Sequence, residues 1–595
     1  MSPLFSFCVL QGVIWCAAAV GYFYTNGFFT DPAGLAFSIF FIIGHFFCFA
    51  WLLGLICAPL SKIGPRALAA ACITGGWLIS FFIAADLIVF AQYRFHIGLS
   101  MLEMFFGSAG REIFIFSAGM WMLVLLIAAF IMALEWGLWQ AAKRIRFSGR
   151  KIITLWVLWA LCFGIYNAMY AWGKFKMVPS IVAQPKILPF AYPLSANRRL
   201  EKWGFSPRQD PYFLPKKGTL NYPLEPLHCS VPEKQKNVLI IVTDALRADM
   251  LNAQVMPQVS SWLKRSGMHV FTNHLSGGNS TVGGIFSLFY GLPHSYWDDF
   301  TGQHLPPLVL TRALAQGYTP GIFASSQITS PAFHRNIFAE VKPLRLGSDG
   351  STPWERDQNA VADWEQFLQT RPKNQPFFGF IFLDAPHGYS YPENTQVFTP
   401  SKPMNYLLLT NDTDPTPYLN QYKNAVHFDD ALIGQVLAGL EKRNLLKDTF
   451  IIITGDHGQE LNDSHKNFWG HNSNFTDYQT KVPFIVYDAS RPAPTRNDYR
   501  TSHHDVAPTI LQEIYGCTNP PADYALGQNL FDNAKRPFTV FAGQTAKAVR
   551  VDDAITVFNE FGTLEQYDNT LRPLQNTPAP GQLKEGLKSF RKFYK

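Results

Sequence analysis

The chain has 595 residues, 48% of them hydrophobic, 15% aromatic and 16% charged, with a formal net charge of +7. Such a length exceeds one compact domain, and the apolar fraction excludes an intrinsically disordered chain. The positive charge has no aromatic-and-basic array of the kind that grips single strands, so it reads as affinity for anionic lipid and excludes nucleic acid as a partner.

The apolar residues are concentrated in the first third. Five stretches, residues 4–24, 33–60, 67–93, 113–139 and 152–172, are nearly all apolar. Each reaches the ~20 residues a helix needs to cross a ~30 Å hydrocarbon core. The first lacks a basic start and four more follow it, which argues against a cleaved signal peptide and for a five-helix transmembrane domain. Lys62, Arg66, Lys143, Arg144, Arg146, Arg150 and Lys151 fall in loops two and four, against Arg94 and Arg111 in the odd loops. The positive-inside rule then places the N-terminus in the cytoplasm. An odd number of spans sends the rest of the chain to the periplasmic side of a bacterial inner membrane. His45, Asp86 and Glu135 interrupt the spans. Charge in hydrocarbon is costly, so these residues pair between helices, for instance His45 with Asp86, or mark a site for an inner-membrane protein partner. Six cysteines lie in or beside the spans as packing residues. Cys229 and Cys517 lie in the exported part, where a bridge is permitted but spacing leaves their meeting open.

A proline-punctuated connector, residues 174–236, follows. It contains AYPLSANRRLEKWGF, with Arg198, Arg199 and Lys202 on one face of a short helix, either a solvated linker or a contact for lipid phosphates. From residue 237 short β-branched runs alternate with amphipathic segments: NVLIIVTD, GYTPGIFASS, PFFGFIFLDAPH, DTFIIITGDH and KVPFIVYD. Fully apolar strands between helices, expected at 256–266, 360–369 and 422–443, require a mostly parallel sheet covered on both faces. This predicts a doubly wound α/β domain over 237–537. Residues 538–595 add a small antiparallel sheet, a linker and a basic helix.

Ligands of open α/β sheets bind beyond the carboxyl ends of the strands. Asp244, His387, and Asp456 with His457 all follow strands there, a donor set that favours zinc or manganese and leaves magnesium open. Taken singly, Asp244 is an equally good helix N-cap, Asp456–His457 a polar turn, and His387 a structural histidine. In SGGNSTVGGIFSLFYGLP, Thr281 opens a helix after a glycine-rich turn, where backbone N–H groups favour an anion. A metal would activate its hydroxyl; Ser280 is the neighbouring alternative. His471, fourteen residues past His457, can return over the same edge on a loop.

Together DALRAD, the threonine before a glycine-rich helix, APHGYSYP, GDHGQEL and GHNSNFTDYQTKVP resemble the alkaline phosphatase superfamily, in its branch of membrane-anchored phosphoethanolamine and phosphoglycerol transferases. That resemblance implies one divalent metal ion on Asp244, Thr281, Asp456 and His457, with His387 and His471 at the substrate, His471 against its phosphate charge. The five spans together with SIFFIIGHF, AYPLSANRRLEKWGF, GNSTVGGIFSLFYGLPHSYWD and YALGQNLFD are similar to the YejM/PbgA family of inner-membrane sulfatase-like proteins. This likeness implies a role in outer-membrane lipid balance and lipopolysaccharide control, with Arg198, Arg199 and Lys202 contacting phospholipid or lipopolysaccharide. No Cys-x-Pro-x-Arg motif supplies the modifiable cysteine of true sulfatases, so sulfate-ester hydrolysis by that route is excluded. Family members that act as regulators can lack the Asp-His-Gly element, which this chain keeps. Two functions follow as expectations: a metal-dependent phosphotransferase or phosphatase, and a lipid-binding regulator of lipopolysaccharide synthesis.

Overall fold

The structure is a computed structural model that describes residues 3–27, 29, 31–98, 102, 118–206, 218–543, 546–559, 564–574 and 580–595. Arg111 and the first residues of the fourth apolar stretch lie outside them. The chain divides into two compact units, residues 1–210 with 560–564, and residues 211–559 with 565–595.

The first unit holds five helices long and apolar enough to cross a membrane. They are α1 (Pro3–Asn26), α2 (Pro32–Cys57), α3 (Pro65–Tyr93), α4 (Ala118–Arg144) and α5 (Gly149–Lys176). Local chemistry sets their starts: Asp31 accepts the Gly34 N–H and Pro32 opens α2, while Ser148 caps α5. Helix α1 packs on α2, α3 and α4, and α5 packs on α2.

The buried ionisable residues are paired, but not as the sequence suggested. His45 meets the Pro189 carbonyl at 2.9 Å and not Asp86. Asp86 accepts from Tyr22, from the Ile97 N–H and from His96 at 2.8, 2.6 and 2.7 Å. Glu135 of α4 takes the Gln11 amide of α1 and the Ser80 hydroxyl of α3, tying three helices together. His96 outcompetes His45 because its loop folds back over the end of α3, a placement no periodicity encodes. A short helix, α6 (Asn197–Lys202), closes this unit with Arg198, Arg199 and Lys202 exposed and Leu200 buried.

In the second unit seven strands form one sheet: β1 (Asn237–Thr243), β2 (Met268–Phe271), β3 (Thr319–Ala324), β4 (Phe377–Leu383), β5 (Thr449–Gly455), β6 (Phe484–Tyr487) and β7 (Thr495–Asn497). Their order is β7-β2-β6-β5-β1-β4-β3. Strands β5, β1, β4 and β3 pair in parallel, and β6 runs antiparallel to both β5 and β2. Alternate residues of β1 feed two separate cores: Val238, Ile240 and Val242 on one face, Leu239 and Ile241 on the other. That two-sided burial is why the central strands read as unbroken apolar runs. Five of the seven strands match the predicted runs; MHVF is too short, and TRN too short and too polar, to announce themselves.

Helices α7 (Thr281–Tyr290), α8 (Pro353–Thr370), α9 (Thr416–Lys442) and α10 (Val506–Glu513) cover the sheet. Residues 538 onward form the expected antiparallel sheet, β8 (Thr539–Ala542), β9 (Ala546–Val551), β10 (Ala554–Asn559) and β11 (Leu564–Tyr567), with the terminal helix α11 (Pro580–Ser589) packed on β8 and β9.

Cys229 and Cys517 form a disulfide across a separation of 288 residues. Nearby, Thr219 and Lys595 exchange backbone hydrogen bonds, so the described end of the connector is fastened to this unit twice. A cross-link over so long a loop stabilises by about 2–4 kcal/mol. Cys229→Ser is therefore expected to lower the thermal midpoint of the full-length protein by several degrees, and reductant should bring wild type to the same value. Equal midpoints with and without reductant would remove the bridge from the stability account.

Candidate active site

Residues after β1, β4 and β5 and the start of α7 meet at one sheet edge. Asp244 follows β1 directly, and the chain then turns through Ala245 at a φ of 61°. Such a conformation is costly for a residue with a β-carbon and persists only where neighbours fix it. Here they do: the Ala245 N–H donates to Asp456 Oδ1 at 2.9 Å, and its carbonyl accepts from the Tyr422 hydroxyl at 2.7 Å. Asp456 Oδ1 also takes the His457 N–H at 2.8 Å. One carboxylate oxygen thus locks the β1 and β5 turns together.

The remaining donor atoms face a common space. Thr281 Oγ1 is 3.4 Å from Asp244 Oδ2 and 3.4 Å from His457 Nε2. His457 Nε2 is in turn 3.5 Å from Asp244 Oδ1 and 3.5 Å from Asp456 Oδ2. Helix α7 comes this close because Gly284 has no β-carbon; one would collide with the Asp456 carbonyl oxygen. Ser280 is the N-cap residue, but its buried hydroxyl makes no hydrogen bond among the described residues. Thr281 is the hydroxyl the fold delivers to the acids.

A divalent cation fits this group. Asp244, Asp456 and His457 each offer a ligand atom, all within 4.8 Å of one another. Asp244 Oδ1 and Asp456 Oδ2 are buried without a hydrogen-bond partner, and such orphans are rare in a folded protein unless something absent satisfies them. His457 Nδ1 is 2.7 Å from the Gly458 carbonyl, so it carries the proton and Nε2 keeps a lone pair. Burial, then the charge of Asp456, pushes Asp244 up to about 7. Burial does the same to Asp456, also to about 7, and lowers His457. Two carboxylates and a neutral imidazole, uncomfortable without a cation, match a mixed oxygen and nitrogen donor set.

A second constellation shares Asp244. Asp384 and His387 lie on the loop after β4 and, with Asp244, form another group able to hold an ion. The backbone N–H groups of Asp384 and Ala385 donate to the buried Asp357 carboxylate of α8, which fixes this loop. Burial works against charge on His387, but Asp244 and Asp384 outweigh it and raise the imidazole to about 10. His471 behaves oppositely: burial first, then the nearby His457 and His387, lowers it well below the usual range. Its ring centre lies 4.3 Å from that of His457 and 5.4 Å from that of His387.

Known proteins with this arrangement are informative at this point. The Sulfatase family model matches residues 236–514, and the model for a domain of unknown function, DUF3413, matches residues 2–229. The inner membrane protein YejM of Salmonella typhimurium is 25% identical over 559 residues, covering 91% of this chain and 88% of its own. The chain is thus a homologue of the YejM inner membrane proteins, with a DUF3413 domain followed by a Sulfatase-family domain. An uncharacterized protein of Haemophilus influenzae is also 25% identical, over 62% of this chain and 56% of its own. The lipooligosaccharide phosphoethanolamine transferase EptA of Neisseria meningitidis shares the fold, with a TM-score of 0.55, 15% identity, and coverage of 87% of this chain and 96% of its own. YejM relatives are inner membrane proteins, in keeping with the five apolar helices here.

Within this YejM homologue the structure brings Asp244, Thr281, His387, Asp456, His457 and His471 together. Arg198, Arg199 and Lys202 belong to the other unit. The structure adds three residues to the candidate site. Asp384 was hidden by the more conspicuous His387 in LDAPH, although an acid directly after a strand was the same signal that singled out Asp244. Arg247, of unclear use from the motif DALRAD, is buried and grips both Asp249 and Asp463 as well as the Gln459 carbonyl. Gln459, inside GDHGQEL, carried no signal beyond its place in that element.

Proposed function

We propose that this protein is a metal-dependent phosphotransferase or phosphatase acting on lipid or envelope phosphoesters at the periplasmic face, with Thr281 as nucleophile. The observation that carries this reading is the meeting of the Thr281 hydroxyl, 3.4 Å from Asp244 and His457, with two orphaned carboxylate oxygens. A divalent cation held by Asp244, Asp456, His457 and Thr281 would supply the positive charge that acidifies the hydroxyl and stabilises the transferring phosphoryl group. Thr281 Oγ1 attacks phosphorus in line, passing its proton toward Asp244 Oδ2. His387, held protonated between Asp244 and Asp384, gives a proton to the departing oxygen as its bond to phosphorus breaks. Water, or a lipid or glycan hydroxyl, then attacks the phospho-threonine and gives its proton to His471, while the bond from phosphorus to Thr281 Oγ1 breaks and Asp244 returns the proton to that oxygen. Acid quenching of the purified full-length protein during turnover of an aryl phosphodiester, followed by peptide mass spectrometry, is expected to recover phosphate on Thr281. Turnover with no phosphorylated Thr281 peptide removes this mechanism.

A second reading, a lipid-binding regulator of lipopolysaccharide synthesis and outer-membrane balance, is favoured by the segment 190–205. Phe190, Tyr192, Leu194, Trp203 and Phe205 are exposed there, Tyr192 by 86% and Trp203 by 70%, around the exposed Arg198, Arg199 and Lys202. Aromatic rings beside cations suit an interface between hydrocarbon and phosphate headgroups. Each cation near an anionic lipid surface contributes about 1 kcal/mol. Replacing all three by Ala is expected to weaken cardiolipin or lipid A binding to the detergent-purified protein by on the order of 100-fold, with aryl phosphate turnover unchanged. Undiminished lipid binding removes the segment from this role.

A further inference from the structure

Gln459 connects parts of the site that the proposed mechanism uses separately. Its backbone carbonyl accepts from Arg247 Nη1 at 3.1 Å. Arg247 is itself fixed by Asp249 and Asp463, so the peptide cannot drift. The side chain is 1% exposed. Its Oε1 lies 3.0 Å from His471 Nδ1, and its Nε2 donates to the Tyr389 hydroxyl at 2.6 Å. Tyr389 stands two residues beyond His387, at a φ of 50°.

An amide oxygen only accepts, so His471 Nδ1 carries a proton and the plane of the ring is set by that hydrogen bond. The amide end of Gln459 simultaneously anchors the loop that carries His387. A side chain that accepts from one histidine and donates toward the loop of the other fixes the orientation of the first and its spacing from that loop.

We infer that Gln459 is a positioning residue: it fixes the orientation of the His471 ring through Nδ1 and couples that ring to the His387 loop through Tyr389. The assignment rests on the phosphoryl-transfer reading for its catalytic consequence, but the hydrogen-bond lock itself is testable without turnover. Partners that orient a reacting imidazole in this way change activity by about 10–100-fold when lost.

Two substitutions separate positioning from packing. Gln459→Glu keeps the acceptor for His471, and the Tyr389 hydroxyl can rotate to donate to the new carboxylate. Gln459→Met keeps volume and shape but can neither accept nor donate. Full-length wild type, both variants and Thr281→Ala would be assayed for kcat and KM on an aryl phosphodiester, with bound metal and thermal midpoint measured on the same samples. Expected are a kcat for Gln459→Glu within about threefold of wild type, and a fall of about 10–100-fold for Gln459→Met at unchanged KM and metal content. The midpoints should follow the same order, Glu above Met. If Gln459 only fills space, the order reverses, because Met suits a buried cavity and a carboxylate does not; that result, or two variants equal to wild type, overturns the assignment. If wild type and Thr281→Ala are equally inactive, the phosphoryl-transfer reading fails. The midpoints then still decide the lock, upheld by Glu above Met and sunk by the reverse.

Discussion

Thr281→Ala is expected to lower turnover of phosphate esters by on the order of a thousandfold or more, while leaving the fold and most bound metal in place. Removing the nucleophile of a covalent mechanism leaves only what the surrounding charges and binding contribute, and losses of that size are typical. The fold should tolerate the change because Thr281 begins α7 and is only half-buried, with the helix held by Gly284 against the Asp456 backbone and by the apolar residues from Ile285 onward. Thr281→Ser restores a hydroxyl without the β-methyl group that fixes the rotamer, and it should recover activity to within about tenfold of wild type. Ser280→Ala, at the neighbouring hydroxyl that makes no contact with the acids, should change kcat little. Initial rates on an aryl phosphomonoester and an aryl phosphodiester, with metal content determined on each preparation, check all three. Full activity in Thr281→Ala, or loss only in Ser280→Ala, would move the nucleophile off Thr281.

The reason so much of this site could be read from sequence is that each part ends an element with strong local character. NVLIIVTD and DTFIIITGDH are buried on both faces, so their apolar runs stop where the sheet edge begins, and the acid that follows each run is placed by the strand itself. Thr281 is similarly announced by the glycine-rich turn before an apolar helix. What escaped depends on contacts between distant segments. His96 takes Asp86 from His45 because a loop folds back. Gln459 and Arg247 matter through partners more than ten residues away or on other loops: Arg247 reaches Asp463, and Gln459 reaches Tyr389. Strands β2 and β7 escaped for a different reason, being four and three residues long and ordered only by pairing with neighbours already in place. The disulfide lies between these cases, since both cysteines were visible beyond the apolar spans and only the fold shows that they meet.

Metal removal should have an effect on stability whose pH dependence identifies the site. Asp244 and Asp456 both have folded-state values of about 7, well above the 3.8 of an unfolded aspartate. For a carboxyl raised in the folded state, the native protein holds a proton that the unfolded chain has already released. Metal-free protein therefore loses stability as pH rises from about 4 to about 7, and the loss levels off above that. A rise of this size corresponds to on the order of 4 kcal/mol for a single carboxylate. A cation reverses the balance, because it binds the ionised acids of the native state and nothing equivalent in the unfolded chain. The increase in thermal midpoint produced by zinc or manganese is accordingly expected to grow between pH 5 and pH 8. Asp244→Asn sharpens the test, since it deletes a charge that is orphaned without metal and needed with it. In chelator at pH 8 this variant should be more stable than wild type, at pH 5 about equal, and in saturating metal at pH 8 less stable. A metal-induced increase that stays flat from pH 5 to pH 8, or an Asp244→Asn variant stabilised by metal as strongly as wild type, would show that these two carboxylates do not form the cation site.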